Sequence, residues 1–282
     1  MEQPIINMEF LKKRPLSYSK LKEFRKSPKH YIYALTKPFF QTDPMLIGSA
    51  TDCLLIDGED EFNKQYIPYD KFAKKSNDAK AEWEVMVNKA RAEHKTLISK
   101  DLLAIAHECA NAVRNYSEAQ PYLNMNRKHP KLNWTDRETG LPCVGHPDWD
   151  CLIDDNLFIV DLKAPANADP EEVTKSVWNF DYFIQAGAYL EAYKNVFFQF
   201  PNFVFLAVET SELHNVSINF VENKYAEFCR EEWKGTLRAF KYCMDNNLWH
   251  MGYEFRNMGT SDYFALRKPG YGRPLYGSWD AD

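Results

Sequence analysis

A chain of 282 residues is long enough to bury a substantial core, and 45% apolar with 15% aromatic residues excludes a disordered chain. The cysteines at 53, 109, 143, 151, 229 and 243 form no C-x-x-C pair, which excludes the common zinc spacings and reads as reduced thiols in core positions. The net charge is −5, and neither a long apolar run nor a signal peptide is expected, so membrane insertion and secretion are not anticipated.

In chain order, Ser17 is a candidate N-cap for a helix of about a dozen residues. Residues 31–42 are aromatic and punctuated by proline. Residues 45–56 read as a helix in which Gly48 and Ala50 allow a neighbour to come close. Residues 62–78 read as a loop or short-strand insertion, and 79–116 as two helices broken near Leu97-Ile98-Ser99, with Ser99 and Asp101 at the second start. Residues 134–139 begin a strand that Gly140-Leu141-Pro142 turns. Strands over 143–153 and 157–164 follow, joined by Asp154, Asp155 and Asn156. Residues 171–176 lead into a helix over 180–194. A second strand pair spans 203–209 and 215–221, and 224–246 is a helix. Residues 254–282 are rich in Gly, Pro and Tyr with little periodicity, and no internal repeat is present. The pattern is α/β, a mixed sheet flanked by helices. One domain is expected over 1–282, with a basic N-terminal segment 1–40, a helical insertion at 71–120 and an irregular C-terminal segment 254–282.

The chemistry concentrates in the first strand pair. Asp148 follows Gly145-His146-Pro147, and thirteen residues later Asp161-Leu162-Lys163 closes an apolar run that starts at Leu157. Residues two apart on a strand share a face, so Asp161 and Lys163 project together. If Asp154-Asp155 is a two-residue loop, position 153 pairs with 156 and Asp148 lies opposite Asp161. A three-residue loop would put the two acids on opposite faces. Two carboxylates and an ammonium at one place suit a divalent metal with a charge-stabilising group beside it, and hence phosphodiester hydrolysis. The bland alternative is a surface hairpin with solvated acids. Gln185 and Tyr189, four apart, share a helical face.

Pro147-Asp148, Asp161-x-Lys163 and Gln185-x-x-x-Tyr189 together resemble the PD-(D/E)xK nuclease superfamily, most closely its exodeoxyribonuclease VIII (RecE-type) branch of phages and prophages. The similarity extends to Leu16-Ser17-Tyr18-Ser19-Lys20-Leu21-Lys22 with Ser27-Pro28, to Gly48-Ser49-Ala50-Thr51-Asp52, to Pro201-Asn202-Phe203-Val204-Phe205-Leu206, and to a closing segment at 249–253. It departs at Asp52, where the family carries a histidine; a carboxylate is also a good ligand for a hard cation. The cysteine spacing argues against the iron–sulfur relatives of the superfamily.

The resemblance implies a restriction-endonuclease-like core and hydrolysis of DNA with Mg²⁺, for which Mn²⁺ substitutes. Asp148, Asp161, Lys163, Gln185 and Tyr189 would be catalytic. Asp52, Asp148, Asp161 and the Leu162 carbonyl would hold metal. It further implies 5′→3′ degradation of linear double-stranded DNA, leaving 3′ single-stranded tails for recombination, in the cytoplasm of a bacterial host. Double-stranded DNA ends are the expected partner, with a single-strand annealing protein and a homo-oligomer also expected. The alternatives are a structure-specific endonuclease, a single-strand exonuclease, or a decayed DNA-binding protein.

The charge distribution fits a polyanion. Nine Lys/Arg against three Glu give residues 1–40 a local +6, leaving −11 for the rest. Arg14, Ser17, Ser19, Lys20, Lys22 and Arg25 are the candidate DNA-binding residues. By analogy with phage exonucleases, Ser17 and Ser19 at a helix start beside Arg14 suit a terminal 5′-phosphate. Residues 71–100 form a second, weaker basic stretch.

Overall fold

The structure, a computed structural model, describes residues 11, 13–38, 40–70 and 77–252. The basic Lys12 and the segment 254–282 singled out above lie outside the described residues. Five strands form the central sheet: β3 (Met125–Lys128), β6 (Trp149–Ile153), β7 (Asn156–Lys163), β8 (Asn202–Val208) and β9 (Val216–Val221), ordered 3-6-7-8-9. All neighbours are antiparallel except β7 and β8, which run parallel because α7 (Pro170–Asn179) and α8 (Tyr182–Phe197) carry the chain back between them. The mixed α/β arrangement agrees with the sequence reading.

The β6–β7 turn has two residues. Asp154 and Asp155 both take positive φ, 48° and 62°, as a type I′ turn demands, and Ile153 pairs with Asn156. Side chains then alternate about the sheet. Trp149, Cys151, Val160 and Leu162 enter one core cluster with α3 (Asp43–Ile56) and α6 (Lys100–Asn115). Ile159, Phe203, Phe205 and Ala207 enter a second with α8 and α9 (Asn223–Asp245). Asp148, Asp150, Asp161 and Lys163 have the parity of Ile159, so they stand on the α8 side.

Three expectations need correction. The strand read as 143–153 is two strands. β5 (Pro142–Gly145) pairs with β4 (Leu132–Thr135) in a separate ribbon, and β6 starts only at Trp149. Pro147 lies between them and has no N–H to continue a ladder. The insertion read as 62–78 includes the end of helix α4 (Glu59–Gln65) and strand β1 (Tyr66–Tyr69), while residues 71–76 lie outside the described residues. The break between α5 (Asn77–Ala92) and α6 falls where expected, as strand β2 (Thr96–Ser99), parallel to β1, and Ser99 caps α6 by accepting from Leu102 N–H. The first helix is shorter than a dozen residues. α1 (Tyr18–Lys26) stops at Ser27, whose hydroxyl accepts from His30 N–H at 3.2 Å and caps α2 (Pro28–Leu35), with Pro28 at its first position. Trp249, from the closing segment of the resemblance, stacks on Tyr31 with ring centres 5.9 Å apart.

α8 and α9 touch at Gly187, where a Cβ would lie 2.0 Å from the Cys229 carbonyl oxygen. No side-chain rotation relieves a clash with backbone, so Gly187→Ala must push the helices apart. We expect a loss of roughly 3 kcal/mol, read as a lower denaturant midpoint at unchanged slope.

Candidate active site

β7 ends in the acid and the amine, and α8 lies across them. Gln185, Tyr189 and Tyr193 are spaced four apart and form one stripe facing the strand residues. Lys163 Nζ donates to Gln185 Oε1 at 3.0 Å, and Gln185 Nε2 donates to the Tyr189 hydroxyl at 3.1 Å. Lys163 also pairs with Asp161 Oδ2 and lies 4.4 Å from the centre of the Tyr182 ring. A Cβ on Gly145 would come within 3.3 Å of the Tyr189 ring, so glycine there lets the tyrosine lie down against β5.

Two buried acids of this ribbon differ in kind. Asp150 is fully satisfied: it accepts from Arg127 N at 3.0 Å, Arg127 Nε at 2.5 Å, Asn126 Nδ2 at 3.1 Å and the Tyr193 hydroxyl at 2.6 Å. Asp161 is equally buried, yet its one partner is the Lys163 ammonium at Oδ2, and Oδ1 has none. Burying a carboxylate with an oxygen left unpartnered is costly, so Asp150 is structural and Asp161 is kept for something else.

Asp148 keeps part of its surface open and accepts the Leu162 N–H at 2.7 Å. By register, Leu162 falls opposite Pro147, two places beyond the last paired residues Trp149 and Val160. The Asp148 side chain takes the Leu162 N–H, and proline has no N–H to give in return. The Leu162 carbonyl, on the same strand edge, faces a residue that cannot bond it.

Asp52 approaches from α3, whose Gly48 passes 4.0 Å (to a notional Cβ) from Ala164. Its Oδ1 is buried without a partner, and its Oδ2 lies 3.9 Å from His129 Nε2. Burial pushes the Asp52 carboxyl up to about 6, with His129 opposing and Asp57 and Asp161 adding to the rise. Asp148 is held well above the usual carboxylate range by burial and then by Asp161 and Asp52. Asp161 is raised by burial against the pull of Lys163. Burial disfavours the charge on Lys163, but Asp161 and Asp148 outweigh it and keep the ammonium protonated.

The structure thus brings Asp52, Asp148, Asp161, Lys163, Gln185 and Tyr189 into mutual electrostatic or hydrogen-bonding range. The basic segment divides. Lys22 lies over the Phe180 ring at 5.3 Å and is close enough to Lys163 for the two charges to repel. Lys20 donates to the Pro15 carbonyl at 2.8 Å and, with Lys131, faces His146; Arg14 lies close enough to repel it. Ser17 Oγ lies 3.0 Å from Ser19 Oγ and makes no capping bond, so its hydroxyl is not spent on the helix. Arg25 is the correction: its side chain is 4% exposed, between Asp181 and Glu232 at 3.5 Å each, and it donates to Thr236 Oγ1 at 3.0 Å. It locks α1 to α9 and does not face solvent.

Three residues escaped the sequence reading. Tyr182 was hidden because its place beside Lys163 depends on how α8 crosses β7. Tyr18 reaches across from α1, its hydroxyl donating to the Phe180 carbonyl at 2.5 Å. His129 follows β3, a strand too short and polar to announce itself.

A divalent cation fits this donor set. Three carboxylates and a main-chain carbonyl are hard oxygen ligands, and the Oδ1 atoms of Asp161 and Asp52, which have no partner, are what a cation would satisfy. Among the described residues no three such side chains are already drawn around one point, and Lys163 neutralises Asp161 instead.

A mixed sheet with an acid, an acid-x-lysine strand end and a glutamine helix laid across it defines the PD-(D/E)xK nuclease-like class. The chain belongs to the family of PDDEXK-like domains of unknown function (DUF3799), whose model matches residues 17–254. The fold is also that of a crystal structure from Eubacterium rectale described as a "putative exonuclease". The TM-score is 0.58 over 93% of this chain and 98% of that one, at 16% identity. No curated protein matches the sequence.

The raised Asp52 gives a pH-dependent prediction. Its folded pKa of about 6 exceeds the ordinary 3.8, so the folded protein keeps the proton longer, and stability is lost as pH rises through that window. Asp52→Asn removes the loss. In chelator at pH 7.5 the variant should melt a few degrees above the wild type, and the gap should vanish at pH 4. Mn²⁺ at neutral pH should raise the wild type more than the variant. Equal melting at both pH values would show that Asp52 is not strained by burial.

Proposed function

We propose that the protein is a metal-dependent DNA exonuclease acting 5′→3′ on linear duplex and leaving 3′ single-stranded tails for recombination. The observation that carries the nuclease reading is Asp161: fully buried, with the Lys163 ammonium as its partner and Oδ1 left without one, facing Asp148 across the hairpin. Polarity and substrate rest on the RecE-type resemblance, with the Eubacterium rectale neighbour as support for exonuclease action. Mg²⁺ or Mn²⁺ held by Asp148, Asp161, the Leu162 carbonyl and Asp52 would polarise the scissile phosphate and acidify a water.

The side chains divide the remaining work. Lys163, whose ammonium Asp161 and Asp148 favour, would stabilise negative charge developing on the phosphate or lower the pKa of the attacking water. The Tyr182 ring and Gln185 Oε1 aim the ammonium, and Tyr189 fixes the Gln185 amide. Lys20, Lys22, Arg14, Lys131 and the hydroxyls of Ser17 and Ser19 offer phosphate contacts on the approach. A homo-oligomer and an annealing partner belong to the same reading through the resemblance alone.

Linear duplex labelled at either end, digested with Mg²⁺, should lose the 5′ label first, and closed circular DNA should stay intact. Release of the 3′ label, or cutting of circles, would replace this reading by another nuclease type. Lys163→Ala should lower the rate about 10³-fold with metal affinity retained, whereas Asp161→Ala should lose both.

The basic surface makes a separate prediction. Lys20→Gln with Lys22→Gln should weaken duplex binding for every sequence and flatten the log–log salt slope by about two units. An unchanged slope would show these lysines to be merely solvated.

A further inference from the structure

His129 touches the site from both sides. It follows β3, and its main-chain N–H donates to the Asp148 carbonyl at 2.7 Å. Its imidazole Nε2 lies 3.1 Å from Asp57 Oδ2, at the C-cap of α3, and 3.9 Å from Asp52 Oδ2, one turn earlier. The two metal-site acids come from different elements, α3 and the β5–β6 connection, and His129 contacts both. Its neighbours reinforce the clamp: Lys128 Nζ donates to the Ile56 carbonyl and Arg114 Nη2 to the Leu54 carbonyl, so cations hold the C-terminal end of α3.

The backbone at His129 has φ of 44°, on the left-handed side that a non-glycine residue rarely adopts. Glycine or asparagine would adopt it with less strain. The imidazole sits at that strained position with its Nε2 on two carboxylates. It faces Asp52 Oδ2, and the other oxygen, Oδ1, is the buried one left without a partner.

We propose that His129 is a positioning residue that sets where Asp52 stands relative to Asp148. The ring fixes the α3 side and the main-chain N–H fixes the Asp148 side, so one residue gauges the gap a cation must fill. The inference rests on the metal-site reading above. It goes beyond it in assigning the geometry of the site to a residue that is not a ligand.

His129→Gly keeps the N–H and relieves the φ while deleting the ring. It should therefore fold at least as stably as the wild type by thermal melting. Mn²⁺ affinity, measured calorimetrically without DNA, should fall about 10-fold, the scale on which orienting partners of metal ligands act. His129→Asn, which tolerates the backbone and keeps a polar tip, should recover part of that loss. Asp57→Asn, which removes the anchor of the ring, should weaken Mn²⁺ binding alone but add little on top of His129→Gly. Wild-type Mn²⁺ affinity in His129→Gly, or full additivity with Asp57→Asn, overturns the inference. Should the glycine variant fail to fold, Asp57→Asn decides: unchanged affinity there overturns it. A wild-type protein that binds no Mn²⁺ and cleaves no DNA overturns the metal-site reading itself, and this inference with it. Binding and cleavage by the wild type with an unaffected variant overturns the inference alone.

Discussion

The two-residue turn at Asp154-Asp155 is the constraint on which the rest depends. Side chains of a strand alternate, so adding one residue to the turn would move every acid of β6 to the other face relative to β7. With the turn as it is, Asp148, Asp150, Asp161 and Lys163 all meet α8, and a single stripe of that helix serves them in order: Gln185 for Lys163, Tyr189 between Asp148 and Asp161, Tyr193 for Asp150. The helix can lie close enough only because Gly187 and Gly145 present no side chain where α9 and Tyr189 press in. Local turn chemistry thereby fixes the electrostatics of a site formed by residues distant in sequence.

The centre of the site was legible because its signals are local. An acid after Pro147, an acid-x-lysine on an apolar run and a glutamine–tyrosine pair four apart each follow from strand or helix periodicity. The even turn could be stated as a condition but not chosen, since Asp154-Asp155-Asn156 is compatible with two or three loop residues. Arg25 misled for the opposite reason. It lies in a charged run that includes the exposed Lys13, Lys26 and Lys29, and only the packing of α1 on α9 shows it enclosed by Asp181 and Glu232. Tyr182, Tyr18 and His129 owe their places to long-range packing, which no spacing rule reports. The short strand β2 went unread, and β1 was left between loop and short strand, because four residues between helices carry too little alternation to register.

Charge at the site is balanced by unequal means. Asp150 is neutralised locally by arginine and a tyrosine hydroxyl, and it ties β3, β6 and α8 together. Asp52, Asp148 and Asp161 share one ammonium, and burial above all, with like charge adding at Asp52 and Asp148, raises their pKa values. On α1, Lys22 adds a cation close enough to Lys163 for the two to repel, so the acids have basic residues beside them. An overall negative protein thus keeps positive charge next to its acids.

Pro147 supplies its contribution by omission. A proline opposite Leu162 ends the β6–β7 ladder one step short of the acids, so the strands part where the carboxylates begin. The unclaimed carbonyl is a property of the main chain, and no change of side chain at position 162 would remove it. Any ordinary residue at 147 would restore an N–H there, allowing the ladder to zip two residues further and seal that oxygen within the sheet. The Pro-Asp dipeptide is therefore one device in two halves: the first residue frees an acceptor, and the second takes the donor that was orphaned with it.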